Sequence, residues 1–124
     1  MIGGNGPKAQ RYAVRHGDIW SGFAEEDATV AEMGPKLARL EAICAEEGRD
    51  PASIGRSAGV LALPLAPAGE RAEALSGSTQ EMADAIRTFE DAGYTRLEIM
   101  FEPGTIEAFE ALARVLERFD ATRR

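Results

Sequence analysis

Ile2-Gly3-Gly4-Asn5-Gly6-Pro7-Lys8-Ala9 decides the fold. Met1 and Ile2 are apolar and lead into three glycines. Pro7 follows, and a helical pattern starts there. Eight residues therefore read as a strand end, a tight loop and a helix start. Glycine lets the backbone turn at positive φ and lets another molecule approach it closely. Proline suits the first helical position, where no backbone N–H is needed. The N–H groups of the first helical turn have no intrahelical partner and favour an anion. The leading expectation is a loop that holds a phosphate.

Outward from the loop, strand and helix patterns alternate. Met1–Gly3 reads as the end of a strand, short against the usual five or six residues. The spacing predicts a helix over Pro7–His16, with Ala9, Tyr12, Ala13 and His16 on one face and Gly17 as its stop. Asp18–Ser21 reads as a strand, and Gly22–Thr29 as a polar loop carrying Glu25, Glu26 and Asp27. Met33, Leu37, Leu40 and Cys44 mark a helix from about Val30 to Glu47, with Gly34-Pro35 near its start, where regular helix could begin at Pro35, and Gly48 as its stop. Arg56–Leu65 is the next strand. Pro67–Gly77 is a loop with a helical turn expected at Glu70–Leu75. Ser78-Thr79-Gln80-Glu81 is a capping box opening a helix to about Ala92. Thr95–Phe101 is the last strand. Thr105–Phe119 is the last helix, with Ile106, Phe109, Leu112, Ala113, Leu116 and Phe119 on one face.

Four strand–helix units in a row predict an α/β fold, with helices packed on a parallel sheet. Short right-handed crossovers leave a doubly wound sheet or part of a (β/α) barrel. In the last strand Leu97, Ile99 and Phe101 share one face, while Arg96, Glu98, Met100 and Glu102 share the other. The first face suits helix packing. The second suits either the polar interior of an enzyme barrel or an exposed edge.

At 124 residues the chain reads as a single domain over 1–124 with room for a real core. The formal net charge of −7 and a pI of about 4.8 argue against a nucleic-acid partner. The single cysteine, Cys44, excludes an internal disulfide and reads as a small core residue. No apolar run approaches a membrane span and the start carries no signal-peptide pattern, so no membrane partner and a cytoplasmic location are expected.

Gly4-Asn5-Gly6-Pro7-Lys8-Ala9 also fits the loose dinucleotide fingerprint G-x-G-x-x-G/A, with Glu25 about 20 residues on. His16, the single histidine, sits where a helix ends and reads as structural. Glu98 and Glu102 fall on one strand face and could form a carboxylate pair. No catalytic set and no metal-ligand spacing is present, so no catalytic or metal residue is assigned.

Several segments together resemble the C-terminal half of the luciferase-like flavin-dependent monooxygenases and oxidoreductases. They are Ile2–Ala9; Ala13-Val14-Arg15-His16-Gly17-Asp18-Ile19-Trp20; Cys44–Ile54; Gly77-Ser78 with the helix that follows; and Ala92-Gly93 with Arg96-Leu97-Glu98-Ile99. The resemblance implies the last four βα units of a TIM-type (β/α)8 barrel, that is, a half barrel. It implies FMN or a 5-deazaflavin coenzyme as cofactor, used for hydride transfer or oxygen insertion. Gly3, Gly4, Asn5 and Gly6 would contact the cofactor phosphate through backbone N–H groups, and Trp20 would lie near the same rim. A whole barrel needs eight strands and about 250 residues. The expectation is therefore a portion without the N-terminal half, which would carry most of the substrate site, completed by self-association into a homo-oligomer. Two alternatives stay open: a non-catalytic self-assembling half barrel or truncated gene product, and a small doubly wound nucleotide-binding domain.

Overall fold

The structure, a computed structural model, describes residues 1–122. The last two residues of the expected 1–124 domain lie outside it. The elements are β1 (Ile2–Gly3), α1 (Pro7–His16), β2 (Ile19–Phe23), α2 (Val30–Glu47), a short 3-10 turn (Pro51–Ser53), β3 (Gly55–Leu63), β4 (Ala74–Ser76), α3 (Thr79–Asp91), β5 (Arg96–Phe101) and α4 (Ile106–Ala121).

Local chemistry sets most of these boundaries. Thr29, Ser78 and Thr105 each accept a hydrogen bond from the third residue of the helix they precede. Ser78 and Glu81 complete the reciprocal capping box. Gly48 ends α2 at φ 71°, a left-handed conformation that glycine adopts without penalty.

α2 runs over the expected Val30–Glu47; the Thr29 cap nucleates its first turn, so Pro35 is carried inside the helix rather than starting it. One expectation about the elements changes. The helical turn expected at Glu70–Leu75 is instead β4, whose three residues pair with Leu61–Leu63 of β3.

All strand pairs are parallel. Ile2 lies opposite Trp20, Ser21 opposite Ser57, and Gly59 opposite Glu98. The main sheet runs β1-β2-β3-β5, with β4 on the far end of β3. Strand order thus follows chain order. A doubly wound sheet would reverse direction at a switch point, and this sheet does not.

Alternation along the strands sorts side chains onto two faces. Trp20, Ala58, Val60 and Ala62 are buried on one face, with Leu97, Ile99 and Phe101 packed beside them. All four helices add to that one core, through Ala13 and Val14, Met33 and Leu40, Met82 and Phe89, and Leu112 and Val115. Each large side chain so buried contributes on the order of 1.5–3 kcal/mol. The other face carries Ser21, Phe23, Ser57, Gly59, Glu98 and Met100.

Two helices bury different faces from those expected. α1 buries Gln10, Ala13 and Val14 and leaves Tyr12 exposed. α4 buries Ala108, Ala111, Leu112 and Val115, while Ile106, Phe109 and Leu116 stay exposed.

Candidate functional site

The glycine loop lies between β1 and α1, at the C-terminal end of its strand. Gly4 adopts φ 142°, and a Cβ there would stand 2.5 Å from the Cβ of Ala9. Only glycine fits, because the loop folds tightly onto the helix it precedes. The Gly4 N–H donates to the Ser21 carbonyl (3.0 Å), so it is committed within the sheet. The Gly4 carbonyl accepts from the Trp20 indole Nε1–H (2.9 Å).

Trp20 is completely buried on the helix side of the sheet. It supports the loop from behind through that indole hydrogen bond. Gly22 makes room for its ring, since a Cβ there would meet Trp20 Cη2 at 2.5 Å.

Asn5 spends its side chain internally. Its amide donates to the Phe23 carbonyl (3.0 Å), and its Oδ1 accepts from the Phe23 N–H (2.8 Å). The amide thereby continues the β1–β2 pairing after β1 has ended. The same amide also donates to the Glu25 carboxylate. From the other side the Arg39 guanidinium donates to the Asn5 carbonyl and to Gln10 Oε1 (2.7 Å). Gln10 is fully buried and donates onward to the Lys36 carbonyl (2.7 Å). The loop is thus held on both flanks by side-chain hydrogen bonds.

Gly6 stands at the N-cap of α1 and Pro7 in its first turn. No side chain caps this helix, and its first turn holds no acid. A Cβ on Gly6 would meet nothing within 4 Å, so the loop is open there.

Beside the loop, on the open strand face, is a depression of about 390 Å³. Gly3, Asn5, Phe23 and Met100 help to line it, together with the carboxylates of Glu25 and Glu98. Phe23 lies across Gly59, where a Cβ would meet its ring at 2.8 Å. Glu98 Oε1 accepts from the hydroxyls of Ser21 (2.9 Å) and Ser57 (3.2 Å). Chemically the site has two parts. The uncapped helix end favours an anion, whereas the carboxylates favour hydrogen-bond donors.

Glu98 and Glu102 do not form a pair. Glu98 is held by the two serines, and Glu102 lies 3.2 Å from Arg71, which also binds Glu73. A broader depression of about 580 Å³ surrounds that cluster, near the ends of β3 and β5. His16 packs against Tyr12, with ring centroids 4.7 Å apart and planes tilted by 52°, away from the loop. Cys44 is buried in the core, where desolvation pushes its thiol pKa up. No helix among the described residues is long and apolar enough to cross a membrane.

Sequence reasoning found the loop but missed Ser21, Ser57, Phe23 and Arg39. The two serines lie 36 positions apart and become neighbours of Glu98 only through the strand register. Arg39 could have been suspected only as a cation on the flank of an amphipathic helix.

No protein-family model and no curated protein sequence matches the chain. Solved structures do. An F420-dependent secondary alcohol dehydrogenase in complex with an F420-acetone adduct superposes with a TM-score of 0.69 at 14% identity, over 94% of this chain and 47% of that one. EDTA monooxygenase (EmoA) from Chelativorans sp. BNC1 gives 0.71 at 13% identity, over 98% of this chain and 44% of that one. Coenzyme F420-dependent tetrahydromethanopterin reductase from Methanopyrus kandleri gives 0.64 at 15% identity, over 94% and 50%. All three are luciferase-like family members. The resemblance read from the sequence therefore holds as a likeness of fold. The chain spans about half the length of each structure it matches.

Proposed function

We propose that this chain is a luciferase-like half barrel whose first loop holds the phosphate of FMN or an F420-type deazaflavin. The observation that carries this reading is the contrast between α1 and the other helices. α2, α3 and α4 each begin with a side-chain cap and an acid in the first turn: Thr29 and Glu32, Ser78 and Glu81, Thr105 and Glu107. α1 has neither and carries Lys8 instead. A cation in the first turn opposes the helix dipole, and a bound phosphate dianion reverses the sign of that contact.

The residues fit such a group. Space is open at Gly6, where a Cβ would meet nothing within 4 Å, and the uncapped first-turn N–H groups of α1 would hold the phosphate there. Gly4 and Trp20 hold the loop's shape, and Gly3 lines the depression beside it. Lys8 supplies positive charge in the first turn of α1. Glu98, oriented by Ser21 and Ser57, can accept from hydroxyl or ring N–H groups of the same ligand. A flavin-type cofactor, when bound, supplies hydride chemistry, and the protein supplies anchoring and orientation. Carbon-centred ligand atoms would lie against Phe23 and Met100.

The test is a fluorescence titration of the chain with FMN, riboflavin and a phosphate-bearing deazaflavin. The phosphate should make FMN bind at least about tenfold more tightly than riboflavin, a difference near 1.4 kcal/mol. Equal affinity for FMN and riboflavin would remove the phosphate site. No binding of any of the three by a folded chain would remove the cofactor reading.

A further inference from the structure

Two carbonyl oxygens flank the start of α1, and both are hydrogen-bonded within the protein. The Gly6 carbonyl accepts from the Gln10 N–H (3.1 Å), which closes the first helical turn. The Asn5 carbonyl accepts from the Arg39 guanidinium, which reaches it from α2. The Gly6 N–H donates to no group among the described residues. The Asn5–Gly6 peptide is trans, and the C=O and N–H of a planar trans peptide point to opposite sides. Arg39 therefore fixes which way this peptide faces. Its oxygen is held towards α2, and the Gly6 N–H is turned away from α2.

Gly6 is not demanded by its own backbone. Its φ of −82° and ψ of 162° suit any residue, and a Cβ there would meet nothing within 4 Å. The bare Cα leaves space beside an N–H that has no partner. Arg39 is itself braced. Its Nε donates to Gln10 Oε1 (2.7 Å), and Gln10 Nε2 donates to the Lys36 carbonyl one turn earlier on α2 (2.7 Å). Gln10 is completely buried, so its amide is a fixed support. Arg11, Arg15 and Lys36 are each paired with a glutamate, whereas no carboxylate among the described residues pairs with Arg39. Its hydrogen bonds go to two neutral oxygens, and one edge of the planar guanidinium spans both.

We infer that Arg39 is a positioning residue of the phosphate loop. It holds the Asn5–Gly6 peptide with the oxygen turned away from the bound anion and the N–H free to donate to it. A peptide turned the other way would set a carbonyl oxygen against the phosphate, where the two would repel. Arg39 acts through Asn5 and does not itself have to touch the ligand. The role rests on the phosphate site proposed above.

Arg39→Lys isolates it. Lysine keeps the charge and can still donate to Gln10, but its side chain is one bond shorter and leaves the Asn5 carbonyl unheld. Circular dichroism and urea unfolding establish that the variant is folded. Fluorescence titrations of both proteins with FMN and riboflavin follow. FMN should bind at least about fivefold more weakly to the variant, the effect of one misplaced hydrogen bond to a charged group, while riboflavin stays within about twofold. The second readout is the Gly6 amide, followed in amide proton–nitrogen correlation spectra as inorganic phosphate is added. Its proton should move downfield in the native chain, and the movement should be largely lost in Arg39→Lys. Equal weakening of FMN and riboflavin would make Arg39 a purely structural residue. Unchanged FMN affinity in the folded variant would show that charge alone suffices. Either result overturns the inference and leaves the phosphate site standing, as does a Gly6 amide that responds equally in both chains. A native Gly6 amide indifferent to phosphate, in a chain that still prefers FMN to riboflavin, overturns it without any variant. Equal native affinity for FMN and riboflavin removes the phosphate site, and this role with it.

Discussion

Asn5→Asp changes one atom at the centre of the loop's support. The retained Oδ1 still accepts from the Phe23 N–H at 2.8 Å. The amide nitrogen that donated to the Phe23 carbonyl and to Glu25 becomes a second oxygen facing both. The lost donor costs about 1 kcal/mol. Two unit charges about 4 Å apart repel by about 1 kcal/mol in water and by about 4 at an effective dielectric of 20. Glu25 is exposed, which places the repulsion near the lower figure. The sum is about 2–3 kcal/mol at pH 8. The introduced carboxyl faces two oxygens, so its folded pKa should rise above the unfolded value of about 3.9. A group raised in this way gives stability that is full below the unfolded pKa and is lost as pH climbs through the folded one. The deficit should therefore shrink to about 1 kcal/mol near pH 4. Asn5→Ala removes both bonds without adding charge and should cost about 1–2 kcal/mol at every pH. Urea unfolding of the three proteins at pH 4, 6 and 8 provides the comparison, with differences taken at each pH. Parallel pH profiles for the two variants, or an Asn5→Asp deficit below about 0.5 kcal/mol at pH 8, would refute the placement of Asn5 against Phe23 and Glu25.

Three further outcomes follow from the geometry. Gly22→Ala should cost about 2–3 kcal/mol in a denaturant titration, because its Cβ would stand 2.5 Å from the Trp20 ring and 2.8 Å from Met33 Cε; a change under about 0.5 would mean that ring is free to move. The guanidiniums of Arg15 and Arg11 hold the Glu47 carboxyl at a pKa of about 2. Its folded pKa is depressed, so its contribution is present above about pH 4.3 and lost as pH falls towards 2. Glu47→Gln should flatten that limb of the urea-midpoint profile, leaving the part due to Glu32 and Glu73, and an unchanged slope would count against the ion pairs. The Tyr94 hydroxyl is buried without a hydrogen-bond partner among the described residues, so Tyr94→Phe should leave stability unchanged or raise it by up to about 1 kcal/mol, whereas a loss above about 1.5 in a thermal melt would reveal a partner.

The elements most legible in the sequence were those fixed by short-range chemistry. The Ser78–Glu81 capping box, the Gly48 stop and the alternation Leu97-Ile99-Phe101 act over at most four residues, and each stands where expected. Faces were legible only where size and polarity agree. α1 buries Gln10, a polar residue that period counting discards, because Lys36 and Arg39 satisfy its amide. α4 carries apolar residues on more than one stripe, and the small residues Ala108 and Ala111 go inward while Phe109 goes out. β4 was read as helix because three residues carry no period, and its strand state comes from pairing with Leu61–Leu63. The site divides in the same way. Its glycines were visible as a motif, whereas Ser21, Ser57 and Glu98 meet through register, which no single segment encodes.

The same comparison of local rules with local exceptions makes Lys8 the sharpest probe of the loop. Every other helix here obeys the N-terminal pattern of cap and acid, so α1 departs from a rule that the rest of the chain follows. Departures of this kind concentrate at functional sites, where stability is lost for another purpose. Lys8→Glu places an acid where the dipole favours one, and should raise stability by about 0.3–1 kcal/mol at low salt. Beside a phosphate the same change replaces attraction by repulsion, and FMN should bind about five- to tenfold more weakly. Riboflavin separates this effect from any change in association, since altered association would move both ligands and the phosphate contact moves only FMN. A protein that becomes more stable and selectively loses affinity for the phosphorylated ligand is the expected result. If Lys8→Glu instead destabilises the fold, Lys8 is held by a structural contact. If it stabilises the fold and leaves FMN binding unchanged, the uncapped end of α1 is a plain defect of the helix and the phosphate lies elsewhere.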